Sequence, residues 1–156
     1  MGCTACAQVC PPRAIEWRDT VENGKAKRTL SVKWDICIFC GQCQANCPTN
    51  KGIILSQEFD FATTEKREEL QETIEKELIT CDCCGELIIP YDQYLWVAKK
   101  LGPLTFSNAS LMFFYLKSLS LALQDKPVPK EEMEFLRADR IKILCPRCLR
   151  EAVLKS

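Results

Sequence analysis

The sequence predicts an α+β fold in two small domains joined by a helical linker, and three observations predict it. The 12 cysteines of the 156-residue chain fall in tight groups rather than evenly along it. The first two groups form an internal repeat, since Cys3, Cys6 and Cys10 recur with a constant shift as Cys40, Cys43 and Cys47, and Pro11 and Pro48 follow the last of each. Apolar residues alternate loosely with polar ones between the two copies, whereas over Ser107–Gln124 they gather on one broad helical face.

The second copy reads Cys37-Ile-Phe-Cys40-Gly-Gln-Cys43-Gln-Ala-Asn-Cys47-Pro48, a complete C-x2-C-x2-C-x3-C-P run. Three cysteines at this spacing wrap one turn of chain around an inorganic cluster. The fourth lies too far along to close the same site and ligates a second cluster, as in two-cluster ferredoxins. Pro48 turns the chain back. The pattern therefore predicts a ferredoxin-like domain over 1–62 with two [4Fe-4S] clusters. One takes Cys37, Cys40, Cys43 and Cys10. The other takes Cys3, Cys6 and Cys47 and lacks one ligand in this chain, because the first copy, Cys3-Thr-Ala-Cys6-Ala-Gln-Val-Cys10-Pro11, has no leading Cys. Three readings account for the gap: an upstream Cys, with Met1 internal to a longer, truncated sequence; a [3Fe-4S] cluster; or a non-Cys ligand such as water or the amino terminus.

The remaining elements follow in order. Ala14–Arg18 and Lys27–Lys33 read as a β-hairpin insert closed at Asn23-Gly24, where both residues tolerate positive φ. Gly52–Leu55 reads as a short strand. Glu65–Leu78, with Thr64 as N-cap and Leu70, Ile74 and Leu78 at i, i+4, i+8, reads as the linker helix of 63–79. The second domain, 80–156, begins with Cys81-Asp-Cys83-Cys84-Gly85 and ends near Cys145-Pro-Arg-Cys148. Two such knuckles make a four-thiolate site of Cys81, Cys84, Cys145 and Cys148, with Cys83 as an alternative ligand. Zinc is its default occupant, one ion per chain, because closed four-thiolate sites are structural; an iron site uses the same ligand type. Helices are expected over Tyr91–Lys100, Ser107–Gln124 and Glu131–Asp139, with a loop at Asp125–Pro129 and a strand-like Ile141–Leu144. The second helix carries Leu111–Leu116, Leu119 and Leu121–Leu123 opposite Ser107, Ser110, Lys117, Ser118 and Gln124. Such a face packs as core, or docks a partner because Phe113, Phe114 and Tyr115 point different ways.

Composition narrows the chemistry. With no His, every soft-metal ligand is a thiolate, which excludes Rieske centres and Cys-His zinc fingers. No export signal opens the sequence, so the expected compartment is the cytosol, where thiols stay reduced and clustered Cys bind metal rather than pair. Lys plus Arg equals Asp plus Glu at 21 each, which gives no electrostatic case for nucleic acid. There is no nucleophile–base pair and no phosphate-binding glycine loop, so no catalytic site of its own is expected.

The run Cys37-Ile-Phe-Cys40-Gly-Gln-Cys43, then Cys47-Pro48, then Leu55-Ser56-Gln57-Glu58-Phe59-Asp60-Phe61-Ala62, resembles the two-cluster iron–sulfur subunit of formate hydrogenlyase and related membrane-bound energy-converting [NiFe] hydrogenases. That subunit is itself similar to the two-cluster subunit of respiratory complex I, which lacks the paired-Cys module seen here at Cys81/Cys84 and Cys145/Cys148. The resemblance implies a non-catalytic relay, peripheral on the cytoplasmic side of a membrane complex. It would pass single electrons between an electron-donor iron–sulfur module and a hydrogenase small-subunit-like protein. A soluble ferredoxin-like carrier and a complex I-like dehydrogenase relay are the alternatives.

Overall fold

A computed structural model describes residues 1–22, 24–57, 62–64, 66–122 and 141–154. The chain divides into two compact units, Met1–Leu78 with Pro90–Asp92, and Ile79–Ile89 with Gln93–Ser156. Strands β1 (Ile15–Glu22), β2 (Lys25–Lys33), β3 (Gln71–Thr80) and β4 (Leu87–Pro90) form one sheet in the order β1-β2-β3-β4.

In the first unit, β1 and β2 pair antiparallel from Ile15↔Val32 to Glu22↔Lys25. This is the expected hairpin; Gly24 has φ 76°, as its closing turn requires, while Asn23 lies outside the described residues. β3 pairs antiparallel with β2 from Ala26↔Leu78 to Lys33↔Gln71. The two registers sort the strands by period two. Ile15, Trp17, Asp19 and Val21 share a face with Ala26, Arg28, Leu30 and Val32, and with Glu72, Ile74, Lys76 and Leu78. Ile15, Ala26, Leu30 and Leu78 are buried there, and Ala14, just before β1, is buried too. Over the paired registers the opposite face is polar and carries the ion pairs Lys33–Glu16 and Lys27–Glu75 and a Ser31–Thr73 hydroxyl contact.

The helix expected over Glu65–Leu78 is therefore corrected: a single helical turn at Arg67–Glu69 precedes a ten-residue strand. A spacing of four fits a helix, but it is also an even number, so Leu70, Ile74 and Leu78 fit one face of a strand equally well. Pairing with β2 decides between them. Gly52–Leu55, expected as a strand, is irregular.

The repeat is also a repeat of backbone. Helix α1 (Ala5–Gln8) has its counterpart in α2 (Gln42–Ala45) at the same shift as the cysteines. The left-handed residues recur likewise: Gly2 with Phe39, Thr4 with Gly41, Arg13 with Asn50. Two identical turns thus flank the sheet's core face.

The second unit contains α3 (Tyr91–Leu101, from its third residue on), a 3-10 turn Gly102–Ser107, α4 (Ala109–Ser118) and α5 (Pro146–Leu154). The Asn108 side chain caps α4 by accepting the Leu111 N–H at 2.9 Å. The helix expected to reach Gln124 stops at Ser118. Ser120, at φ 57°, lets the Leu121 N–H bond back to Leu116 and the Ser120 N–H to Lys117, a Schellman ending without glycine. Leu111 and Phe114 are buried, and Tyr94 packs on Phe114 with ring centroids 4.6 Å apart. Ser110, placed by its sequence on the polar face, is buried too. Ile141–Leu144, expected as strand-like, is not a strand. Asp125–Pro129 and Glu131–Asp139 lie outside the described residues.

Candidate metal centres

Seven of the cysteines line two cavities on the core face of the sheet. Cys3, Cys6 and Cys47 line the first, with Thr49, Gly52, Leu30 and Ile74 among its other walls. Cys10, Cys37, Cys40 and Cys43 line the second, with Phe39, Gly41 and Leu55. The partition is the one that the crossed spacing predicts: the last Cys of each motif stands in the other motif's cavity. Ile15, Val32, Trp34, Ile53 and Ile54 line both, so the wall between the cavities is apolar.

The first cavity holds about 280 Å³, room for a multi-atom group rather than a lone ion. The second is tighter, about 40 Å³, and is lined on one side by the exposed residues Ile38–Cys40. Donors converge on the thiols. The Ala14 N–H lies 3.2 Å from Cys10 Sγ, and the Thr49 hydroxyl 3.3 Å from Cys47 Sγ. Burial pushes the Cys47 thiol up, but the Thr49 hydroxyl and the N–H groups of Thr49, Gly52 and Lys51 overcome it and bring the thiol down to about 7. A Cβ on Gly52 would sit 3.0 Å from Cys47 Sγ, so this cradle is shaped around a bare backbone. Burial pushes Cys6 up, with Cys3 and Cys43 adding to it, and pushes Cys43 up, with Cys37 and Cys40 adding. Such crowded thiols ionise together only if a cationic core joins them.

In the second unit the Sγ atoms of Cys81, Cys84, Cys145 and Cys148 all lie within 4.8 Å of one another. Cys81, Cys145 and Cys148 are buried, with Ile88 and Leu144 packed against them. Cys83 is exposed and stands outside this group. The first knuckle closes through Gly85 N–H to the Cys81 carbonyl at 2.9 Å, with Gly85 at φ 74°. The second knuckle opens α5. It is delivered by a strap, 141–145, that is pinned twice. Asp82 donates its N–H to the Ile143 carbonyl and accepts the Ile143 N–H at 2.8 Å. The Ser110 hydroxyl donates to the Lys142 carbonyl at 2.8 Å and accepts the Leu144 N–H at 3.2 Å.

Backbone N–H groups also point at these sulfurs, from Cys145 to Cys81 at 3.3 Å and from Cys148 to Cys145 at 3.5 Å. Burial raises the Cys81 thiol, but the N–H groups of Cys145, Cys84 and Cys83 and the Cys84 thiol bring it down to about 6. Cys148 is pushed far up, chiefly by Cys84 and by burial. One thiol ionises readily and then opposes ionisation of its neighbours, the behaviour of a four-thiolate cage that needs a cation. Arg147 lies near enough to Cys84 for that thiol to hold the guanidinium more firmly charged.

The sequence names the eleven cysteines that the structure gathers in these three groups, but not the residues that surround them. Thr49, Gly52, Asp82 and Ser110 carry no motif, since each matters only through a partner brought in by folding. Gly52 alone left a trace, as a glycine soon after Cys47-Pro48.

Residues 1–51 match the 4Fe-4S dicluster domain. Over 71 residues the chain is 27% identical to NAD(P)H-quinone oxidoreductase subunit I of Gloeobacter violaceus, a match covering 44% of this chain and 34% of that protein. The chain thus spans about a third of the length of the curated relative it matches. Residues 1–51 are thus similar to a 4Fe-4S dicluster domain, and a separate four-cysteine group follows. Among the described residues no helix is long and apolar enough to cross a membrane.

Proposed function

We propose that this chain is an electron-relay subunit of an oxidoreductase complex, passing single electrons through two clusters to or from a membrane-bound [NiFe] hydrogenase module of the formate hydrogenlyase type. The observation that carries the relay reading is the pair of thiol-lined cavities separated by one apolar wall. Cys10, Cys37, Cys40 and Cys43 would hold one cluster. Cys3, Cys6 and Cys47 are the thiolates this sequence supplies to the other. Such clusters, when bound, supply one-electron chemistry at potentials set by hydrogen bonds to sulfur and by solvent exposure. The protein's part is to hold the thiolates and aim N–H donors at them. Ile15, Val32, Trp34, Ile53 and Ile54 line both sites and make the wall between them apolar.

The hydrogenase assignment rests on the sequence resemblance and on the four-cysteine group, which suits a zinc ion held by Cys81, Cys84, Cys145 and Cys148. The partners would be a hydrogenase small-subunit-like protein and an electron-donor iron–sulfur module, with the complex on the cytoplasmic face of the membrane. One observation favours a second reading, a complex I-like dehydrogenase relay: the similarity to a quinone oxidoreductase subunit I.

Native extraction of membranes followed by affinity isolation of the chain tests these readings. Co-isolated nickel and hydrogen-dependent reduction of the chain's clusters support the hydrogenase reading. A nickel-free complex that oxidises NAD(P)H supports the second. A chain that runs alone in the soluble fraction defeats both and leaves a diffusing carrier. Metal analysis should give about eight Fe and one Zn per chain, for two cubanes and one four-thiolate site.

A further inference from the structure

Arg28 stands in the middle of the sheet's core face, among Ala26, Leu30 and Trp17. The registers place Asp19 opposite it on β1 and Lys76 opposite it on β3. The Arg28 and Asp19 side chains are only 15% and 17% exposed. An ion pair this far from water is costly unless its donors and acceptors are used. Arg28 uses both edges of its fork. Nε donates to Asp19 Oδ1 at 2.7 Å and Nη2 to Oδ2 at 2.8 Å. Nη1 donates to the Gly2 carbonyl at 3.0 Å, and the guanidinium carbon lies 4.8 Å from the Trp17 ring centroid. Lys76 is turned away to Asp92, at 2.7 Å.

Gly2 is the residue before Cys3. It is buried, at φ 79°, and a Cβ there would meet the Lys76 and Pro90 side chains at 3.2–3.3 Å. Its counterpart in the second copy is Phe39, also left-handed at φ 52°, but exposed and stacked on Trp34 with 9° between the rings. The two matching loops are therefore held by different means. The second leans on an aromatic neighbour five residues earlier in the chain. The first is drawn into the sheet by a charged clamp.

We propose that Arg28 is the positioning residue of the Cys3/Cys6/Cys47 site, acting through the Gly2 carbonyl to set the loop that presents Cys3 and Cys6. This rests on the reading of that site as a cluster site. The chemistry requires arginine, because one rigid planar group must meet a carboxylate and a carbonyl at fixed angles while lying on an indole. A lysine offers a point charge without the fork.

The test uses the full chain, reconstituted with iron and sulfide, as wild type, Arg28→Gln and Arg28→Lys. Timed iodoacetamide labelling with mass-spectrometric readout of each cysteine is followed alongside EPR of the reduced protein. In wild type, loading protects both cysteine sets. In Arg28→Gln, Cys3, Cys6 and Cys47 should label about tenfold faster or more, the equivalent of one charge-assisted hydrogen bond. One EPR component should change while Cys10, Cys37, Cys40, Cys43, Cys81 and Cys145 label as in wild type. Arg28→Lys should give the same selective pattern at smaller amplitude. Wild-type labelling at Cys3 and Cys6 in Arg28→Gln overturns the proposal, as does uniform exposure of all cysteines in both variants. If iron and sulfide protect none of the seven cysteines in the wild type, the cluster reading has failed first and the proposal falls with it.

Discussion

Replacing Ser110 by Ala should loosen a metal site whose nearest cysteine in sequence, Cys84, lies 26 positions earlier in the chain. Ser110 is 2% exposed, and its hydroxyl makes two hydrogen bonds to the strap that ends at Cys145. A net intramolecular hydrogen bond contributes about 1 kcal/mol, and a buried donor left without a partner costs about 1–3 kcal/mol. Lys142 is exposed, so its carbonyl would find water; the Leu144 N–H, on a half-buried residue, would do so less well. The sum is about 2 kcal/mol. Four-thiolate sites couple metal binding to local folding, so this should appear as roughly 30-fold weaker metal retention. Competition with a chromogenic chelator reads it directly, and thermal unfolding of the loaded protein gives a second measure. Ser107→Ala is the control, since that hydroxyl bonds the Leu104 carbonyl on an exposed turn and its loss should cost under about 0.5 kcal/mol. Equal metal retention in Ser110→Ala and Ser107→Ala would refute the idea that the strap is pinned by Ser110.

Three further outcomes are expected. Gly52→Ala brings a Cβ to 3.0 Å from Cys47 Sγ, so reconstituted iron should fall selectively at the Cys3/Cys6/Cys47 site, with the EPR component of the other cluster kept; unchanged iron content would show that the cradle gives way. Cys83→Ser should retain the four-thiolate metal and Cys84→Ser should lose it, because Cys84 and not Cys83 belongs to the 4.8 Å group; metal analysis of the two purified variants decides. Lys76 holds the Asp92 carboxyl below its usual range through a 2.7 Å hydrogen bond and its charge. A depressed carboxyl stabilises the fold above the unfolded pKa, and this is lost as pH falls through the folded one. In Lys76→Met the Asp92 titration, followed by carboxyl NMR, should therefore move upward and the acid-side loss of stability at this pair should vanish. With Asp92 half exposed, the change in stability will be small.

The helix-to-strand correction at Gln71–Thr80 shows where local pattern stops being informative. Its Glu- and Lys-rich sequence suits a helix as an isolated segment, and only the neighbouring β2 offers the ladder that makes it a strand. The end of α4 is similar: nothing but a left-handed serine stops it, and serine announces no such stop. By contrast the hairpin was legible, because alternation is a property of the segment itself, and α3 lies where the sequence predicts a helix.

The cysteine spacing by itself predicts that the last Cys of each motif stands with the first cysteines of the other, and the two cavities are lined that way, because a metal cluster limits how far apart in sequence its thiolates can lie. It also determined the two knuckles of the second unit. Folding alone decided what surrounds them. Which N–H groups reach Cys47, why residue 52 must lack a side chain, that Ser110 is buried and that Arg28 reaches Gly2 all depend on contacts between segments distant along the chain. Ligands are written as a local code; the positions and charges that hold them are set by packing.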